Sequence, residues 1–438
     1  MIAPTQAGGR SRIARLLARR ASWMPELLRD PDFRGFWTGQ TISVFGDQIS
    51  AIALPLVAVY TLRTGPAQMG ILSALVWLPS LLFAVHAGAW VDRRGRRRAT
   101  IIAADLARAA LLLTVPACAA LGVLTIWQLY AVAFGTGVFG LLFTVAQPAV
   151  FVALVPPGQY VEGNSLIYGS RALGFVGGPS MGGLLVQLLT APYAVVADAL
   201  SFLGSALFLS RIRPAEAPPD RSRQGALTAG AKFLASSAVV RASLIAVSVV
   251  NFFNFVFLAL FVLYATRSLH IQAGLLGLVL GAGAVGGVLG ALVTRRLADR
   301  LGVGLVYTLS CLVFTAPLVL VPLAAGSRLT IAAMLFAAEF GSGFGVMMLD
   351  ITIGAIFAAV IPDRLRSRVT GAFQAVNYGV RPLGALAGGF LGSHIGLRPT
   401  LWIATAGGMA GFLVLLPTSV PRFRMPPGPA TARTGEPQ

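Results

Sequence analysis

The sequence predicts an all-α integral membrane protein, with twelve transmembrane helices in two pseudo-symmetric six-helix bundles. Three observations lead there. The chain is 56% hydrophobic and only 11% charged, with mean hydropathy +0.79, whereas soluble domains average about 25% charged residues. Its arginines sit in the short gaps between long apolar runs. The second half of the chain repeats features of the first.

Apolar runs long enough for hydrocarbon, about 20 residues each, lie at 36–61, 67–91, 99–121, 125–154, 162–189 and 191–210. A second set follows at 242–266, 271–294, 303–325, 329–360, 369–393 and 398–418. This divides the chain into a basic N-terminal tail (1–33), a bundle (34–210), a linker (211–241), a second bundle (242–418) and a tail (419–438). The first tail has no apolar core or small-residue cleavage site of the kind a secretory signal needs. In the linker, Ala226–Val240 has the pattern of an amphipathic helix lying on the membrane face. The Pro/Gly-rich tail after Pro421 reads as disordered.

Orientation follows from the basic residues. With the N-terminus inside, 27 of the 34 Lys/Arg face the cytoplasm and four face outward: Arg63, Arg267, Arg328 and Arg398. Both termini are therefore expected in the cytoplasm, in the plasma (inner) membrane. Arginine-rich usage with Lys232 as the single lysine points to a GC-rich, bacterial genome. Net charge +19 does not signal nucleic-acid binding, because the charge forms gaps and not a stripe. Cys118 and Cys311 lie far apart in apolar runs and read as inert thiols, with no metal site and no cofactor.

The repeat is visible in register. A shift of 207 carries Asp92-Arg93-x-Gly95 onto Asp299-Arg300-x-Gly302, Gly70 onto Gly277 and Asp47 onto Asn254. A shift of 210 carries Tyr168, Arg171, Gly174 and Gly178 onto Tyr378, Arg381, Gly384 and Gly388. Tandem six-helix halves put a substrate site near the midplane between them.

Five arginines within 93–98 make the loop after the second span a polar hairpin at a membrane face. Its pattern, Gly88-x-x-x-Asp92-Arg93-x-Gly95-Arg96-Arg97, resembles the loop signature of the major facilitator superfamily. In the fifth span, Gly174-x-x-x-Gly178-Pro179-x-x-Gly182-Gly183 resembles the antiporter signature of its drug-export branch, with Ser165 where that pattern has a further glycine. Gly46-Asp47-Gln48, Ala197-Asp198-Ala-Leu-Ser-Phe202 and Ile361-Pro362-Asp363-Arg364 carry the same likeness, closest to macrolide and siderophore exporters. The resemblance implies alternating access by two rocking bundles, and export coupled to protons. The fourth span lacks the arginine that many drug–proton antiporters use for relay.

An ionisable residue inside a span costs about 2.5–3.5 kcal/mol on insertion scales and needs a reason. Asp47 and Glu339 lie at mid-depth and, with Asp350, are the proton-carrier candidates. For Asp47 a structural partnership with a hydroxyl such as Ser50 stays open. Asp105 and Arg108 share a helix face as an internal pair, Asp198 suits packing, and Arg381 can pair with Asp350. Arg171 and Arg381, related by the repeat, suit neutralisation between helices or gate contacts better than substrate binding. Trp77, Phe252, Phe253, Phe257 and Phe344 either line an apolar cavity or face lipid. For the 88–98 loop we expect a gate, in which Asp92 faces the N-terminal end of the eleventh helix near Thr370.

Gly178-Pro-Ser180-Met-Gly182 and Gly281-Ala-Gly283-Ala-Val-Gly286 imitate a nucleophile elbow and a dinucleotide fingerprint, but neither has a strand before it. No phosphate-binding loop occurs, so ATP is not the expected energy source, and no nucleophile–base set suggests an enzyme. The reading is a monomeric secondary transporter that exports a hydrophobic or amphipathic small molecule in exchange for protons. Lysophospholipid or other lipid movement is the alternative within transport. A non-transporting sensor or scaffold is the alternative outside it.

Overall fold

The computed structural model describes residues 25–214 and 232–424. Twelve long helices run through the described chain. In the first half they are α1 (Pro31–Leu56, prolonged by a π turn, Val57–Thr61), α2 (Pro66–Arg94), α3 (Arg97–Ala120), α4 (Ile126–Leu154), α5 (Tyr160–Leu189) and α6 (Ala191–Arg211). In the second they are α7 (Ala238–Arg267), α8 (Ala273–Leu301), α9 (Val303–Thr315, then a 3-10 turn and Leu320–Leu323), α10 (Arg328–Val360), α11 (Asp363–His394) and α12 (Leu397–Leu415). Ten of them, α1 to α10, are long and apolar enough to cross a membrane. The more polar α11 and the apolar α12 complete the second bundle by packing on α7.

Local chemistry sets the ends. Asp30 caps α1, accepting from the Asp32 and Phe33 amides with Pro31 in the first turn. Thr125, Ser237 and Ser327 cap α4, α7 and α10 in the same way. Pro317 interrupts α9, since it can neither donate to nor fit inside the preceding turn. Ser237 also ends the amphipathic stretch expected over Ala226–Val240. A short helix covers 232–236, α7 takes over from Ala238, and the earlier part of the stretch lies outside the described residues. Both tails beyond residues 25 and 424 are likewise outside them.

Each half packs by one scheme. In the first, α1 lies against α5 and α6, α4 against α2 and α3, and α3 against α6. In the second, α7 lies against α11 and α12, α10 against α8 and α9, and α9 against α12. The bundles meet mainly through two crossings, α2 on α11 and α5 on α8, with α2 also touching α7. Apolar contact in water does not drive such packing inside lipid. Small residues do, by letting backbones approach.

Candidate functional site

The crossings use repeat-related glycines. A methyl group on Gly70 of α2 would lie 2.6 Å from the Gly389 Cα of α11, and one on Gly277 of α8 would lie 3.0 Å from the Gly183 Cα of α5. Further contacts follow along both crossings: Pro66 and Ala67 with Gly389, Val176 and Ser180 with Gly281, and Gln187 with Gly274. All lie in the halves of these helices near the 62–65 and 268–272 connections. Toward the opposite ends, Tyr168, Leu173 and Leu292 are exposed, and nothing lies within 4 Å of where a Cβ on Gly88, Gly169 or Gly371 would sit. The bundles are closed on one side and part toward the α2–α3 and α8–α9 loops.

Deep in the α2–α11 crossing lies a cation in an aromatic cage. The Arg381 guanidinium lies 4.3 Å from the ring centre of Trp77 (α2), 4.4 Å from Tyr378 and 5.2 Å from Phe255 (α7). No close ion pair joins it to Asp350, the partner expected from sequence, although the two charges still attract each other at longer range. Aromatic faces make its direct contacts. Of the other aromatic candidates, Phe257 is buried and stacked on Phe261, and Phe253 fills the space beside Gly407 inside the second bundle.

The first bundle contains a charge cluster that the sequence showed only in fragments. Arg108 of α3 donates to the Asp105 carboxylate one turn earlier, and its Nη1 lies 3.5 Å from Asp47 Oδ1 of α1. Its guanidinium also stacks on Phe202 (3.9 Å) and Phe143 (4.7 Å). Asp198 of α6 accepts the Ser201 hydroxyl at 3.1 Å, and both press against Gly46, where no side chain would fit. Asp105, Arg108 and Asp198 are buried, whereas the Asp47 side chain is 47% exposed. Asp47 is roughly 24 Å along α1 at 1.5 Å per residue, the middle of the helix. Three carboxylates and one guanidinium therefore converge from α1, α3 and α6, and one carboxylate reaches open space. The shift of 207 carries Asp105, Arg108 and Asp198 onto Leu312, Thr315 and Thr405, so the cluster has no counterpart in the second bundle. That asymmetry was the available signal.

Residues 20–434 match the family described as transmembrane secretion effector, of the major facilitators. The chain belongs to that family. It is 31% identical over 376 residues to the multidrug efflux pump Tap of Mycobacterium tuberculosis, covering 81% of this chain and 85% of that one. It is 27% identical over 379 residues to the uncharacterized MFS-type transporter YfiS of Bacillus subtilis, covering 82% and 86%. Among solved structures, a bacterial homologue of the iron transporter ferroportin, in an inward-facing state, superposes with TM-score 0.72 at 15% identity, over 90% and 99% of the two chains. The nucleoside transporter NupG gives 0.70 at 13%, over 88% and 98%. At such identities these two speak for the fold alone.

In this facilitator the antiporter-like glycines serve two helices. Gly174, Gly178 and Gly182 face Val44, Gln48 and Ile49 of α1, and Gly183 faces α8. Pro179 exposes its carbonyl to Gly277. The dinucleotide-like run belongs to α8, where Gly283, Gly286 and Gly290 lie against the α10 backbone at Glu339, Phe340 and Phe344. Glu339 is half-buried there, with no cation within ion-pair distance among the described residues. Asp350, further along α10, is exposed. Arg171 lines a crevice with Trp37, Gln40 and Thr41.

The loop motif is a helix stop. Gly95 follows α2 at φ 64° and its repeat partner Gly302 follows α8 at φ 89°, the left-handed region that glycine enters without strain. Arg93 donates to the Ala89 carbonyl, Arg94 lies over Trp90, and Arg98 donates to the Leu209 and Ser210 carbonyls at the end of α6. Asp299 lies 4.0 Å from Arg295, one turn back, while Arg300 closes the last turn of α8. The Asp92 side chain lies outside what is described. The gate contact drawn from sequence needs correction at its other end. Because α11 starts at Asp363, Thr370 is two turns inside it and offers no free amide.

Proposed function

We propose that this facilitator exports a hydrophobic or amphipathic small molecule from the cytoplasm, or from the inner leaflet, in exchange for protons. The observation that carries the proposal is the half-exposed Asp47 carboxylate beside the buried Arg108 guanidinium. Ionised, Asp47 shares the neutralisation of Arg108 with Asp105. Protonated, it leaves Arg108 to Asp105 alone, and α1 is released from α3 at mid-depth. A single proton at Asp47 thus changes a charged link between α1 and α3 at mid-depth. The guanidinium on the third span supplies what the fourth span lacks.

The arginine distribution supports placing the α2–α3 and α8–α9 loops in the cytoplasm, which makes the parted side of the bundles an inward-facing opening. The name of the Tap relatives, multidrug efflux pumps, supports an apolar, chemically permissive cargo. Glu339 and Asp350 offer carboxylates on the second bundle for a cationic cargo or a further proton.

Inverted vesicles test the reading by their uptake of a fluorescent amphipathic cation supplied outside, on the cytoplasmic face. Asp47→Asn should abolish transport driven by a pH gradient while binding of the dye persists, and Glu339→Gln should weaken it. Parent-like transport in both variants would exclude these carboxylates as coupling sites.

A further inference from the structure

Outside the bundle interface, a cavity of about 280 Å³ opens between α2 and α4 beside the arginine-rich loop. Phe83, His86, Trp90 and Arg93 line it from one stripe of α2, with Leu141 and Leu142 opposite on α4. The stripe faces away from the α11 crossing. Trp77 and Leu81, which meet α11, lie about 120° or more around α2 from Phe83 and Trp90 at 100° per residue. On α4, Leu141 and Val138 lie about 120° or more around the helix from the buried Val132, Phe143 and Val150 at 100° per residue, while Leu142 borders the core. The groove therefore opens to surrounding lipid and not to the space between the bundles.

The lining is ordered along the membrane normal. At 1.5 Å per residue, Arg93 lies roughly 3 Å from the turn at Gly95, Trp90 about 7 Å and Phe83 about 18 Å. Cation, indole and hydrocarbon thus follow the sequence of a phospholipid: phosphate, ester region, acyl chain. Among the described residues Arg93 uses its Nε, for the Ala89 carbonyl, and its terminal nitrogens have no partner. Arg94 stacks on Trp90 and adds a second positive charge at that level. The volume lies near the lower limit of small-molecule pockets, about 300 Å³, so it suits part of a chain better than a whole cargo molecule. Basic pockets between helices at a membrane face bind lipid headgroups.

We propose that this groove is a binding site for one anionic phospholipid, whose phosphate rests on Arg93 and whose acyl chain lies along Phe83, Leu141 and Leu142. Bound there, the lipid would join α2 and α4 at the end of α2 that bears the loop.

Native mass spectrometry of the full-length protein in detergent tests it, with phosphatidylglycerol and phosphatidylcholine of identical chains. One phosphatidylglycerol should be retained in preference to phosphatidylcholine. Arg93→Gln should lower that retention about fivefold, the effect of one basic residue near an anionic lipid surface. Leu141→Trp, which fills the groove without touching the charge, should lower it too, and free glycerol phosphate should not compete. Equal retention of the two lipids, unchanged retention in both variants, or displacement by glycerol phosphate would each overturn the proposal.

Discussion

Arg381 of α11 lies 4.3 Å from the ring centre of Trp77 on α2, so a cation of one bundle rests on an aromatic face of the other. Both residues sit where the closed half of the molecule gives way to the parted half. A cation–π contact contributes about 0.5–2 kcal/mol, most when desolvated. Trp77→Ala should therefore shift the population by about twofold to thirtyfold away from the state described here. Distances between spin labels on the α2–α3 and α8–α9 loops would read this as a growing short-distance fraction. An unchanged distribution would mean the contact is not a determinant of state.

The glycine crossings set a harder limit on the same equilibrium. Gly70→Val and Gly277→Val place side-chain atoms against the partner backbone, which has no flexible end to move. Each should prevent closure on the side of the 62–65 and 268–272 connections. Cysteine labelling at Gln187 or Gly274 would become faster, whereas Gly88→Val, with open space around it, should leave labelling as in the parent.

Arg108 neutralises a buried site shared by several carboxylates. Removing one partner of a buried ion pair costs about 3–5 kcal/mol, so Arg108→Ala should lower the melting temperature in detergent by several degrees at neutral pH. Arg108→Lys should recover little, because an ammonium cannot stack on Phe202 while reaching both Asp47 and Asp105. Full recovery by lysine would reduce the role of Arg108 to its charge.

The loop glycines make a smaller, local prediction. Gly95→Ala forces a side chain into the left-handed region, at about 1–2 kcal/mol, and Gly302→Ala into a positive-φ, extended-ψ conformation, at about 1–3 kcal/mol. Both should lower thermal stability slightly and leave lipid retention and dye binding intact. A large loss of transport in Gly95→Ala with unchanged stability would assign the loop a role beyond ending α2.

The membrane class, the two six-helix halves, the loop glycines and the family likeness were all legible along the chain. These properties are local or periodic: hydropathy over about 20 residues, glycine where φ is positive, and register between repeats. Some boundaries were not legible, since α7 claims residues that alone read as an interfacial helix. Which charges meet depends on how the helices pack. Asp47, Asp105, Arg108 and Asp198 come from three helices, and the rotation of each helix about its axis sets their distances. Arg381 likewise keeps a long-range attraction to Asp350, but the crossing at Gly70 and Gly389 brings the Trp77 ring into direct contact with it. Pattern along the chain fixes which residues are costly in lipid; the angle at which glycine-lined helices cross fixes what each is offset by.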